Sequence, residues 1–186
     1  MAKSSAHQKL TIEHVKDLGR MLIEVANLYP TKFLSERDFF PLVVAYLTGR
    51  IPSMEAEVST TEGRIDFQLK GTNPTWLELA VQPRTLADKN FPNVAFPGNK
   101  AKTLYASQNR PELRKLMNEQ TGKTRFLLLV DLHGGYVLKK LETGYKTEAK
   151  TYKKGKSIRV VYVSQSLLTG YSFLASAKPT LIPMGK

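Results

Sequence analysis

Apolar side chains recur at three- and four-residue steps from Leu10 to Leu28, through Ile12, Val15, Leu18, Leu22 and Val25. That spacing gives a helix one buried stripe. Thr11 is a suitable N-cap, and Tyr29-Pro30 stops the helix, because the residue before a proline is pushed out of the α region. A second helix is expected to open at Ser35 and run through Phe39, Phe40, Val43, Val44 and Leu47 to Gly49. Pro41 removes one backbone bond inside it, so either its first turn is irregular or the helix proper starts near Pro41. From Ala56 the period drops to two. Glu57–Thr61 and Arg64–Lys70 read as strands joined by a tight turn at Glu62-Gly63. Thr75–Gln82 reads as a third strand, beyond the Gly71–Pro74 turn cluster.

Pro83 to Gly98 shows no period and three prolines, which marks a loop. Lys100–Gln108 and Pro111–Gln120 look helical, and Phe126–Leu132 reads as a strand buried on both faces. His133-Gly134-Gly135 is a turn, from which Tyr136–Leu141 is expected to leave as a hairpin strand into a lysine-rich run. Ser157–Ser164 reads as the last strand, and Ser166–Lys186 as a weakly specified tail. The expectation is one mixed α/β domain over residues 1–186, with a core near 35–132, an N-terminal helix and a C-terminal basic β-hairpin. Residues 1–9 and 166–186 are expected to be flexible or peripheral.

Composition narrows the chemistry. The 186 residues are 41% apolar, enough to fill one core and to exclude disorder over most of the chain. With 28 Lys and Arg against 16 Asp and Glu, the net charge is +12, which suits a polyanionic partner, most simply nucleic acid. Zero cysteines exclude disulfides, zinc-thiolate sites and thiol nucleophiles. His7, His14 and His133 fall at no familiar zinc-ligand spacing. Met1–Lys9 lacks the apolar core of a signal peptide, and no apolar run approaches the length of a bilayer span. These features lead us to expect a cytoplasmic protein with no membrane partner.

Two strand carboxylates are the main candidates for chemistry. Asp66 lies opposite in facing to Ile65, Phe67 and Leu69, and Glu78 alternates with Leu77, Leu79 and Val81, sharing its face with Trp76, Ala80 and Gln82. In an antiparallel hairpin the two carboxylates share a face only if the connection holds an odd number of residues or a bulge. Side by side they repel unless a cation lies between them, and oxygen ligands of this type suit Mg²⁺ or Mn²⁺. The same residues also fit ordinary polar positions on a half-solvated sheet.

Gly63-Arg64-Ile65-Asp66-Phe67 followed by Trp76-Leu77-Glu78-Leu79-Ala80-Val81 resembles the PD-(D/E)xK nuclease superfamily, with its restriction-endonuclease-like αβββαβ core. Glu36-Arg37 stands where that family often carries a further glutamate ahead of the hairpin. The resemblance implies a metal-dependent endonuclease acting on double-stranded DNA. Asp66, Glu78 and Glu36 would be ligands to Mg²⁺ or Mn²⁺, with the Leu79 carbonyl, and cleavage of duplex DNA by so small a domain would suggest a homodimer or larger complex. Where the family has its lysine, this chain has Ala80. Three readings are open at this point. Gln82 takes over the polar role, a lysine has migrated to Lys100 or Lys102, or the site is inactive and the fold serves as a DNA-binding or assembly protein. Arg64 and the lysines Lys139, Lys140, Lys146, Lys150, Lys153, Lys154 and Lys156 are the expected contacts to the nucleic-acid backbone.

Overall fold

A computed structural model describes residues 9–29, 32–33, 35–51, 53–70, 74–83, 103–118, 124–152 and 156–177. Helix α1, Ile12–Leu28, starts at Thr11, whose side chain accepts from the His14 amide while His14 Nδ1 accepts from the Thr11 amide. Ser35 opens a 3₁₀ turn, Glu36–Phe39, which runs into α2, Phe40–Thr48. Pro41 stands at the start of α2, so both expected consequences of that proline occur: an irregular first turn and a late helix start.

Six strands follow: β1 Met54–Thr60, β2 Gly63–Leu69, β3 Thr75–Gln82, β4 Thr124–Asp131, β5 Ser157–Ser164 and β6 Leu167–Ser176. They form one sheet in sequence order. The pairs β1–β2, β2–β3 and β5–β6 are antiparallel, and β3–β4–β5 are parallel. Each parallel step needs a crossover, supplied by α3, Arg110–Asn118, and α4, Leu138–Ala149. Crossovers of one hand stepping in one direction place their helices on one face of the sheet. Accordingly α3 and α4 pack with Trp76, Leu127, Leu129, Val160 and Phe173 on that face. On the other face α1 and α2 pack with Phe67, Leu77, Leu79, Leu128 and Val161. Covered on both sides, β3 and β4 are almost entirely buried.

Gly19 sets how closely α1 approaches the sheet. A Cβ added there would lie 2.7 Å from Val163 Cγ2 and 3.1 Å from Leu128 Cδ1. Gly19→Ala is therefore expected to cost about 1–3 kcal/mol through overpacking, despite the better helix propensity of alanine. Urea unfolding checks this; a gain in stability would show that α1 can lift away without loss.

Several expectations are corrected. The lysine-rich run is helix α4 as far as Ala149 rather than a strand of a basic hairpin, and Leu138–Leu141 begins that helix rather than ending a strand. Its buried residues Leu141, Tyr145 and Ala149 recur at four-residue steps, a stripe too sparse to stand out among the lysines. The tail expected from Ser166 contains strand β6, paired along β5, and its residues 178–186 lie outside the described residues. Residues 103–109 form turns, with the Asn109 amide bonded to the Tyr105 carbonyl, rather than the end of a helix. Lys100 and Lys102, and most of the segment expected to be a loop after Pro83, lie outside the described residues. No helix among the described residues is long and apolar enough to cross a membrane.

Candidate active site

The connection between Leu69 and Thr75 holds an odd number of residues. The register pairs Phe67 with Leu77, Gln68 with Trp76 and Leu69 with Thr75, and one step further brings Asp66 opposite Glu78. The ladder stops there. β2 turns away from β3 beyond Phe67, and across β1 the partner position of Asp66 is Glu57, which has a φ of 51° and is missing from the ladder. This twist turns the β1–β2 ribbon over. Phe67 and Leu69 pack toward α1 and α2, whereas Ile65 packs toward α3, so Ile65 does not share their face as its alternation predicts.

Separation of the strands leaves β3 with backbone donors that β2 no longer satisfies, and carboxylates take them. Leu79 N–H donates to Asp66 Oδ2 at 2.8 Å, and Val81 N–H donates to Glu36 Oε2 at 3.3 Å. Glu36 thus arrives from the 3₁₀ turn beside the two strand carboxylates. Glu78 is 0% exposed, which removes its reading as a polar residue on a half-solvated sheet. The side chain facing it comes from α3. Lys115 Nζ lies 2.8 Å from Glu78 Oε1, touches the Glu112 carboxylate, and donates to the Arg64 carbonyl at 2.7 Å. Beyond Lys115 and the Asp66 carboxyl, neither Glu78 oxygen has a polar partner among the described residues.

The electrostatics follow from crowding. Burial, then Asp66, pushes Glu78 up to about 11. Burial, then Asp66, pushes Glu36 up to about 7. Asp66 is also raised by burial, against the hydrogen bonds from Glu78 and Leu79 that lower it. Burial pulls the Lys115 ammonium down, but Glu78 and Glu112 beside it outweigh that effect, and its pKa is raised. Glu112 also acts on Glu36, Asp66 and Glu78, so four carboxyl groups share one ammonium. Glu78 is the group that keeps a proton under these conditions.

The donor set suits an oxygen-ligated cation: Asp66 and Glu36 each keep one oxygen off the backbone N–H groups, and Glu78 contributes two. As they stand, no three His, Cys, Asp or Glu side chains among the described residues are gathered as a metal shell. Lys115 and Glu112 were not among the candidates from sequence. Their one signal is position: they lie one turn apart on a helix whose buried residues are Leu113, Leu116 and Met117, at the margin of that apolar stripe.

Gln82 shares the strand face of Glu78, but its amide oxygen is fully occupied. It accepts from Thr103 N at 2.8 Å, Thr103 Oγ1 at 2.9 Å and the Tyr136 hydroxyl at 2.7 Å. Gln82 therefore fastens the 103–104 turn onto the end of β3, leaving only its amide NH₂ for other work. The Arg64 guanidinium is exposed beside Glu57. Lys139, Lys146 and Lys150 line one exposed face of α4, with Lys146 paired to Glu142, and Lys140 Nζ lies 5.1 Å from the centre of the Tyr105 ring. Lys156 is half-buried beside β5, and Lys153 and Lys154 lie outside the described residues. Comparison of the chain with protein-family models finds no match, and a search of the curated proteins finds none either.

Proposed function

We propose that the protein is a metal-dependent nuclease that hydrolyses phosphodiester bonds, with DNA as the expected substrate. The observation that carries this reading is Lys115, an ammonium held against Glu78 on the face that Asp66 and Glu78 share. It supplies the cation that Ala80 cannot, from the helix rather than the strand. Asp66 and Glu78 would hold Mg²⁺ or Mn²⁺, with Glu36 completing the set. When bound, such an ion polarises the scissile phosphate and offsets charge building on it.

The chain's own groups do the rest. Lys115 carries three N–H donors and can turn one of them from Glu112 or the Arg64 carbonyl to a non-bridging phosphate oxygen. Glu36, raised to about 7 by burial and by Asp66, would give up its proton on joining the ion. The lysine face of α4 lies on the same side of the sheet as α3 and supports a role in binding the phosphate backbone. The test is cleavage of plasmid DNA with Mg²⁺ or Mn²⁺. Wild-type protein is expected to nick the plasmid and Asp66→Ala to leave it intact; equal activity in both removes the carboxylate from the reaction.

A second reading is favoured by Ala80 and by the occupied Gln82 oxygen: a nucleic-acid-binding protein whose carboxylates only cap the separated strands. Salt-sensitive DNA binding without cleavage under any divalent ion supports it.

A further inference from the structure

We propose that the cavity at the foot of β4 and β5 binds a phosphate monoester, the group carried by a nucleotide or by the end of a nucleic-acid strand. Its volume is about 320 Å³, within the range of small-ligand sites. Three cations from separate parts of the chain line it: Lys9 ahead of α1, Arg125 in β4 and Arg159 in β5. No carboxylate among the described residues lines it. Several surface cations elsewhere meet acids, as in Lys16–Glu13, Arg20–Asp17 and Lys70–Glu55, whereas Lys9 and Arg159 make no ion pair among the described residues.

Arg125 is only 5% exposed, so its charge is held largely out of water with two like charges on the same cavity. Three like charges on one cavity favour an anion there, and a near-dianionic monoester matches them better than a halide or a single carboxylate. Hydroxyls of Thr11, Thr124 and Ser157 at the same cavity supply neutral donors to phosphate oxygens. Because Arg125 and Arg159 belong to the sheet, two of the three charges are placed by backbone pairing rather than by loops. The site shares no residue with the carboxylate cluster, so it stands whether or not the protein is a nuclease.

The experiment is calorimetric titration of the whole chain at low salt with two matched pairs: adenosine 5′-monophosphate against adenosine, and a 5′-phosphorylated oligonucleotide against its 5′-hydroxyl form. At least one phosphorylated member is expected to bind at least about tenfold more tightly than its partner. A preference in the first pair alone identifies a free nucleotide as the ligand, and one in the second pair identifies a strand end. Arg159→Glu and Lys9→Glu are expected to abolish the preference, while Lys32→Glu, an equal charge change in the turn after α1, leaves it intact. Lys9 is exposed and outside any helix or strand, so its variant tests the site even if Arg159→Glu does not fold. No preference in either pair, or a preference that survives both site variants, overturns the proposal.

Discussion

Glu78→Gln is expected to unfold at higher denaturant than the wild-type chain at pH 7.5, and to lose divalent-ion-dependent cleavage by about a thousandfold or more. The stability gain follows from linkage. Glu78 titrates near 4.5 in an unfolded chain and at about 11 when folded. Stability from a carboxyl whose folded pKa is raised is fully present below the unfolded pKa and is lost as pH rises through the folded one. At neutral pH the folded chain already carries that cost, and a neutral amide of the same shape removes it. Allowing for the Lys115 contact that is weakened, the gain is about 1–3 kcal/mol. Wild-type stability is accordingly expected to decline from pH 5 to pH 8, with Glu36 adding to the fall up to about 7. The Glu78→Gln variant should show a shallower decline. A variant less stable than wild type, with an unchanged pH slope, makes Glu78 a structural partner of Lys115 and removes the argument that it is held for function.

Much of the fold was legible because local signals and packing agree. Thr11, Tyr29, Ser35, Pro41 and Gly49 punctuate the first two helices, and each acts through backbone geometry that tertiary structure does not override. β3 was read with its observed bounds, since its apolar alternation is bracketed by turn residues. What failed were elements whose burial is incomplete. α4 shows only three buried residues among lysines and carries Gly144, and β6 is an edge strand with Gly170 and serines along it. An edge strand has one neighbour to satisfy it, so its sequence is under weaker apolar selection and its period fades.

At the site, local counting pointed the wrong way. Strands ending at Lys70 and starting at Thr75 leave four residues, an even number that puts Asp66 and Glu78 on opposite faces, whereas β2 ends at Leu69 and the five-residue connection brings them to one face. The separation of β2 from β3 was not legible either. It depends on the positive φ at Glu57 and on Leu79 and Val81 finding carboxylate acceptors, one of them on a distant 3₁₀ turn. Lys115 was missed for the same reason. Nothing within α3 marks it except its place beside an apolar stripe, and its partners Glu78 and Arg64 belong to strands far earlier in the chain.

Lys115→Met is the variant that separates a catalytic from a merely neutralising ammonium. In the metal-free protein it is expected to lose about 1–3 kcal/mol at pH 8, because Asp66 and Glu36, beside the protonated Glu78, keep their burial and lose the cation that offsets their charge. Lys115 itself adds no pH dependence below pH 8: its folded pKa is raised above 10.5, so its stabilisation is fully present there. The pH dependence comes from Glu36, whose pKa of about 7 rises further once the ammonium is gone, so the deficit should shrink toward pH 5 as it protonates. Thermal unfolding across that range measures it. Saturating Mn²⁺ is then expected to restore most of the lost stability, since a divalent ion replaces the missing charge among the same oxygens. Cleavage is expected to stay absent, because the ion that neutralises the carboxylates does not supply a donor to the phosphate from α3. Recovery of both stability and cleavage on adding Mn²⁺ reduces Lys115 to a counter-charge. Lys115→Arg sharpens the distinction: it keeps the positive charge and most of the stability, but its planar fork cannot reproduce three contacts radiating from one nitrogen.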